Sequence, residues 1–345
     1  MGPTPAQQPP ELDYFADDRS LLLRPYQRWL IAPVLAWLPA RLSPNAITHV
    51  GHLLNLAALL LLVLLWPERG WPLYVAAVLV QLYIWCDNAD GAHARRTGRS
   101  SAYGELLDHG LDILNVVYIA CISAFALGLS PMLWVLVVLL ITVAPAFSYW
   151  EQTETGVLRL GMLNQVESGL VVSGALCVSA VLGRGWWAHV AVHDIHPQLV
   201  MVLWPSVTIL FGIARGAVRV TRQRGLRALA PVIALVLFDS GIVLAAALGT
   251  LSARVAVVLA VAGNVFFATR MLTMRVAGPV RGTKRALSFG IVGIAALLAI
   301  KLGLPADAIH SAAAPHLDTA LAALAALVFG VAVLRDARRG IAEVR

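Results

Sequence analysis

Ten apolar runs, each near the roughly 20 residues that a helix needs to cross a bilayer, leave this chain of 345 residues one broad fold class. They lie near 45–66, 71–94, 104–128, 131–149, 164–183, 199–218, 228–249, 252–272, 286–302 and 316–334. Charged residues make up only 13%, against roughly 25% in a soluble domain. The expected fold is an all-α polytopic membrane protein of about ten transmembrane helices. Cys86, Cys121 and Cys177 fall in separate apolar runs, so neither a disulfide framework nor a metal-ligand spacing is expected from them.

Charge placement orients the spans. With the N-terminus inside, every basic residue except Arg69, Arg184, Arg254 and Lys301 falls on the cytoplasmic side, the asymmetry that the positive-inside rule requires. Both termini are then cytoplasmic. The net charge of +7 follows from these loops, so nucleic acid is not an expected partner. All basic residues but Lys284 and Lys301 are arginine, the usage of a GC-rich bacterial genome, so the expected location is a bacterial inner membrane.

Residues 1–17 are polar, Pro-rich and acidic, without the basic start of an export signal; a flexible tail is expected. Over 18–42, Leu21–Leu23, Tyr26, Trp29, Leu30, Val34, Trp37 and Leu38 alternate with Arg24, Arg28 and Arg41. That mixture suits an amphipathic helix lying in the membrane interface, bent by Pro25 and Pro33. The loop 184–198 carries Trp186, Trp187, His189, His193 and His196. It faces away from the acidic residues described next and reads as an interfacial loop.

Four carboxylates stand where the second and third spans meet: Asp87, Asp90, Asp108 and Asp112. Ionisable groups among membrane helices are costly and mark function. Asp87 and Asp90 are three apart, and Asp108 and Asp112 four apart, so each pair shares one helix face. Two facing helices would bring four acids into one small volume. Hard oxygen ligands so placed suit Mg²⁺, Mn²⁺ or Ca²⁺, and a pair of such ions suits phosphoryl chemistry. A cation transporter lined by the same acids is the non-enzymatic alternative. It leaves Gly91, Ala94 and Gly104 unexplained, and Arg95 would repel its cargo.

The run D-x2-D-G-x2-A-R-x8-G-x3-D-x3-D, from Asp87 to Asp112, resembles the signature of the CDP-alcohol phosphotransferase family. The resemblance implies that Asp87, Asp90 and Asp108 hold the metal, two Mg²⁺ or Mn²⁺ ions, and that Asp112 is the general base, with some contact to metal. His109 is the rival base, since an unperturbed imidazole suits proton transfer near neutrality. As the neighbour of Asp108 it is expected to point about 100° away on the helix. Gly91 and Gly104 would let backbone and nucleotide approach closely, Ala94 keeps the helix face thin, and Arg95 can grip a phosphate with two donors. Asn45 and Thr48, in a P-N-x-x-T start like that of family members, are nucleotide contacts by the same resemblance; a plain helix cap is the alternative for Asn45.

Two further stretches are similar to the choline and ethanolamine phosphotransferase branch. One is Ala94-Arg95-Arg96-Thr97 with Ser100-Ser101, followed by Gly104-Glu105-Leu106-Leu107-Asp108-His109-Gly110. The other is Trp150-Glu151, then Thr155-Gly156 and Val166-Glu167, where Ser168 interrupts the expected E-G junction. The bacterial enzymes that join CDP-diacylglycerol directly to choline have wider spacing than the gap of eight residues seen here. The implied activity moves phosphocholine or phosphoethanolamine from CDP-choline or CDP-ethanolamine to a lipid hydroxyl such as diacylglycerol, releasing CMP in phospholipid biosynthesis. The alternative is a CDP-diacylglycerol-dependent phosphatidyltransferase with a small polar acceptor.

Aromatic faces hold quaternary ammonium groups, so Tyr83, Trp85, Tyr103, Tyr149 and Trp150 are headgroup candidates, as are the acids Glu105, Glu151 and Glu167; packing and structural roles compete for each. Residues 43–220 are expected to form a six-helix catalytic core and 221–345 a four-helix C-terminal region. The latter carries no recognisable chemistry and is a candidate for a lipid access route or a homodimer contact.

Overall fold

The computed structural model describes residues 15–18, 20–160, 164–191, 195–278, 292 and 314–344. The long helices within them are α1 (Pro44–Leu65), α2 (Trp71–Thr97), α3 (Ala102–Ala126), α4 (Pro131–Thr155), α5 (Gln165–Leu182), α6 (Pro197–Arg224), α7 (Ala230–Ala247), α8 (Ala253–Ala277) and α9 (Ala314–Val344). Seven of the described helices are long and apolar enough to cross a membrane, so the chain is an integral membrane protein of all-α class. The expected run near 286–302 lies outside the described residues, apart from residue 292.

Local chemistry starts and stops these helices where it should. Proline occupies the first turn of α1, α2, α4 and α6, where its missing N–H costs nothing. Ser101 Oγ accepts the Gly104 N–H at 3.0 Å and starts α3. Asn164 and Glu167 form a reciprocal capping box on α5. Gly98 ends α2 with a φ of 66°, a left-handed conformation that favours glycine.

The helix expected over 18–42 is shorter and less regular than that expectation. Three successive helical pieces cover Leu23–Tyr26, Gln27–Ile31 and Ala32–Leu35, the middle one a π-turn between Pro25 and Pro33. Two prolines eight residues apart interrupt the α-helical hydrogen-bond ladder, and the wider turn falls between them. Tyr26 and Ile31 are buried, while Trp29 and Trp37 are exposed. Arg96 closes the far end by donating to the carbonyls of Leu35 and Leu38.

One element has no counterpart in the expected pattern: β1 (Phe15–Asp18) pairs in parallel with β2 (Val157–Leu160), Phe15 opposite Val157. The end of the expected N-terminal tail is thus tied to the loop after α4.

The buried apolar residues form two clusters. One joins α1, α2 and α5 through Leu62, Leu73, Ile84 and Leu176. The other joins α4, α7, α8 and α9 through Trp150, Phe238, Phe266, Phe267 and Phe329. Helix α3 belongs to both: Leu106 and Ile113 pack into the second, Ile122 and Phe125 into the first. The helix that carries Asp108 and Asp112 is therefore held from both sides.

Candidate active site

Helices α2 and α3 are joined by a turn of four residues, 98–101. Asp87 lies ten residues before the end of α2, and Asp112 ten residues after the start of α3. At 1.5 Å per residue both stand about 15 Å in from the turn, so an antiparallel hairpin brings them level. Asp90 and Asp108 sit one turn nearer the end. The structure has this pairing: Asp87 lies against Asp112 and Gln165, and Asp90 against Asp108.

Each acid is oriented by neighbours. Thr48 of α1 donates its hydroxyl to Asp90 Oδ2 at 2.5 Å, and the Gly91 N–H donates to Asp90 Oδ1 at 2.5 Å. Gln165 of α5, beside Asp87, donates to the Tyr83 hydroxyl at 2.8 Å. Ligand atoms of Asp108, His109 and Asp112 lie within 4.8 Å of one another. His109 thus turns back toward the acids instead of pointing away from Asp108. Its Nδ1 stands 4.0 Å from Asp112 Oδ2, and its backbone carbonyl accepts from the Tyr149 hydroxyl at 3.3 Å.

These residues fit divalent cations. Among the described residues, no arginine or lysine forms an ion pair with any of the four aspartates. Asp108 Oδ1 is buried with no hydrogen-bond partner. Four acids packed together repel one another unless cations stand between them, and carboxylate oxygens suit hard ions.

The other motif residues surround the acids. Asn45 is the second residue of α1, not its cap, which is Ser43. A Cβ on Gly104 would come within 3.3 Å of Asn45 Oδ1 and 3.2 Å of Ser101 Oγ, so glycine lets α1 and α3 meet. A Cβ on Gly91 would sit 3.3 Å from Arg95 Nη1, so glycine here clears the path of that guanidinium. Arg95 is exposed at the end of α2, and Ala94 is half-buried beside it.

The headgroup candidates separate. Trp150 is fully buried, edge-on to Phe147, with its N–H on the Ala228 carbonyl. Glu151 grips Arg219 with both oxygens, at 2.6 and 2.9 Å, and also meets Arg159. Glu167 closes the α5 capping box and accepts from Ser20 Oγ and the Leu22 N–H. Trp85 donates to the Leu30 carbonyl and ties down the helical segment Gln27–Ile31. These four are engaged in packing or pairing. Tyr103 is half-buried in the first turn of α3. Glu105 shares the face of Asp108 and Asp112 but pairs with Arg275 at 3.3 Å. In the loop after α5, Trp187 is buried on Ser179, and His189 and His196 each contact a backbone carbonyl; His193 lies outside the described residues.

Sequence reasoning missed Gln165 and Arg275. Gln165 directly precedes the Val166-Glu167 pair and carried a signal: a polar residue starting an apolar helix. Arg275 lies beyond the expected span 252–272 among many cytoplasmic arginines and carried none, although the structure puts it in the last turn of α8.

The family model described as CDP-alcohol phosphatidyltransferase matches residues 41–196. Cholinephosphotransferase 1 of Gallus gallus is 34% identical over 185 residues, 50% of this chain and 54% of that protein. Cholinephosphotransferase 1 of Xenopus laevis is 33% identical over 199 residues, 54% of this chain and 48% of its own. A CDP-diacylglycerol–serine O-phosphatidyltransferase of Encephalitozoon cuniculi is 31% identical over 191 residues, 51% and 47% of the two chains. The chain spans about half the length of these curated relatives.

Proposed function

We propose that the chain, an integral membrane protein whose residues 41–196 match the CDP-alcohol phosphatidyltransferase family model, transfers phosphocholine or phosphoethanolamine from a CDP-alcohol to a lipid hydroxyl, diacylglycerol foremost, and releases CMP. The observation that carries this reading is the convergence of Asp87, Asp90, Asp108 and Asp112 at the α2–α3 hairpin. The similarity to two cholinephosphotransferases supports the donor class.

The four aspartates would hold two divalent ions, Mg²⁺ or Mn²⁺. When bound, these supply positive charge that offsets the diphosphate and the charge developing in the displacement. Arg95, exposed at the end of α2, would meet a phosphate oxygen from the nucleotide side. Asn45 and Gly104 shape the wall against which the nucleotide lies. The acceptor oxygen attacks the β-phosphorus in line. Its new O–P bond forms as the bond between that phosphorus and the bridging oxygen breaks, and CMP leaves with the bridging oxygen. The hydroxyl proton passes to Asp112, with His109 Nδ1 close enough to steady that carboxylate. No covalent enzyme intermediate is required.

We place this site at the cytoplasmic face of a bacterial inner membrane, with both termini on that side, from the distribution of arginine. Residues 43–220 would form the catalytic core and 221–345 an added membrane region.

The similarity to a CDP-diacylglycerol–serine O-phosphatidyltransferase favours a second reading, in which the donor is CDP-diacylglycerol and the acceptor a small polar alcohol. Purified protein given Mg²⁺, radiolabelled CDP-choline or CDP-ethanolamine, and diacylglycerol should form labelled lipid. Product only from CDP-diacylglycerol plus serine or a similar alcohol would reverse the assignment.

A further inference from the structure

Two consecutive residues near the start of α3, Glu105 and Leu106, are held by helices that lie outside the family-matched segment. Glu105 receives Arg275 of α8, Nη2 to Oε1 at 3.3 Å, with Arg275 only 12% exposed. Leu106 receives α9: a Cβ on Gly340 would come within 3.1 Å of Leu106 Cδ2, so that side chain packs directly on the α9 backbone. α8 and α9 are themselves joined by Arg270 with Asp336 at 3.6 Å and by Thr273 Oγ1 on the Asp336 carbonyl at 3.2 Å. Thr153 Oγ1 of α4 reaches the Met271 carbonyl at 3.2 Å. The grip on α3 is therefore one connected framework.

The position of that grip matters. Glu105 is three residues before Asp108, four before His109 and seven before Asp112, so all four share one helix face. A shift of α3 along or about its axis moves Asp108, His109 and Asp112 together against Asp90 and Asp87 on α2. The Glu105–Arg275 pair is a charged contact made on that face by the C-terminal region. It also holds the Glu105 carboxylate beside a guanidinium, which keeps a fifth negative charge from adding to the four aspartates.

We propose that Arg275 is a positioning residue for the transfer reaction. Through Glu105 it fixes the rotation and depth of α3, so that helix α8, outside residues 41–196, completes the catalytic geometry. The inference rests on the function proposed above and adds to it a role for the C-terminal helices.

The test compares Arg275→Ala, Arg275→Lys, Glu105→Gln and the exchanged pair Glu105→Arg with Arg275→Glu in the full-length protein. Three quantities are read: kcat and KM for CMP release, Mn²⁺ binding by electron paramagnetic resonance without nucleotide, and the thermal midpoint in detergent. Arg275→Ala should lose roughly tenfold to a hundredfold in kcat, the scale of a misplacement of about 1 Å, with KM for the CDP-alcohol little changed. Its Mn²⁺ affinity should fall, and both losses should exceed what the drop in its midpoint, expected from removing one partner of a largely buried pair, accounts for. Arg275→Lys and the exchanged pair should recover part of both losses. Unchanged kcat and Mn²⁺ affinity in Arg275→Ala would overturn the proposal, as would losses that track the midpoint alone across all four variants. If Arg275→Ala does not fold, Glu105→Gln and Arg275→Lys decide on the same readouts. Should the wild type release no CMP from any CDP-alcohol or CDP-diacylglycerol, the transferase reading fails. The Mn²⁺ comparison still decides whether Arg275 sets the geometry of the acids.

Discussion

His109 Nδ1 stands 4.0 Å from Asp112 Oδ2, one helical turn away on α3. The imidazole can steady the carboxylate or compete with it for the acceptor proton, and both roles use the same short separation. With Asp112 as base, Asp112→Asn should lower kcat by about 10²–10⁴, while His109→Ala should lose about tenfold or less. Because the two groups act on one proton, the double variant should fall little below Asp112→Asn. Near-normal turnover in Asp112→Asn would remove it from the role and pass it to His109.

Thr48 donates to Asp90 Oδ2 at 2.5 Å from a buried position at the start of α1. Groups that orient a metal-binding carboxylate commonly change metal affinity by about 10–100-fold when removed. Thr48→Val should therefore raise the Mg²⁺ concentration needed for half-maximal CMP release by about that factor, with Thr48→Ser close to wild type. Chelation by EDTA should abolish activity in all three and added Mg²⁺ restore it. An unaltered Mg²⁺ requirement in the valine variant would mean that Asp90 does not need this hydrogen bond to serve.

Much of this site is legible in the sequence because its parts are local. Asp87 and Asp90 share a helix, as do Asp108 and Asp112, and helical spacing puts each pair on one face. Which acid meets which depends on the length of the turn at 98–101, which becomes definite only once the ends of α2 and α3 are known. The contacts that fix the helices against each other are not local. Arg275 reaches Glu105 across 170 residues, and neither residue type is unusual in its own segment. Trp150 stands near the motif in sequence, yet its side chain turns to Phe147 and Ala228. Lipid tails are as apolar as leucine, so a membrane helix is apolar on every side and its residue pattern does not tell which face turns inward. The β1–β2 pairing was equally hidden, because one partner is a four-residue segment beside a polar tail.

Glu151 is held as a structural anion. It meets Arg219 at 2.6 Å and Arg159 at 3.2 Å with its own side chain 8% exposed, and Gly216 leaves it the space. Losing the charge removes the carboxylate that two guanidiniums share. Removing one partner of a buried pair costs about 3–5 kcal/mol, and Arg219, a third exposed, brings the value toward the lower end. Glu151→Gln should lower the thermal midpoint by several degrees while the surviving enzyme keeps its KM for a CDP-alcohol. A raised KM with an unchanged midpoint would return Glu151 to the headgroup site.

Gly169 of α5 packs on Ile84 of α2 one turn before Asp87, and its missing side chain is what permits that contact. A Cβ there would lie 1.7 Å from Ile84 Cδ1 and 3.1 Å from its Cγ1, and Ile84 is itself buried, so the side chain would have to shift within a packed core. Gln81 crosses the same junction, donating to the Gly169 carbonyl at 3.0 Å and to Ser173 Oγ at 2.9 Å. Gly169→Ala should therefore push α5 from α2 and cost about 1–3 kcal/mol, the usual range for overpacking. The displacement would also carry Gln165 off Asp87, so activity should fall beyond what the lost stability explains. Ile84→Val removes the clashing Cδ1. Added to Gly169→Ala, it should recover most of the midpoint and much of kcat. If the alanine variant matches wild type in both, the α2–α5 contact is looser than the geometry implies and Gln165 is not held through it.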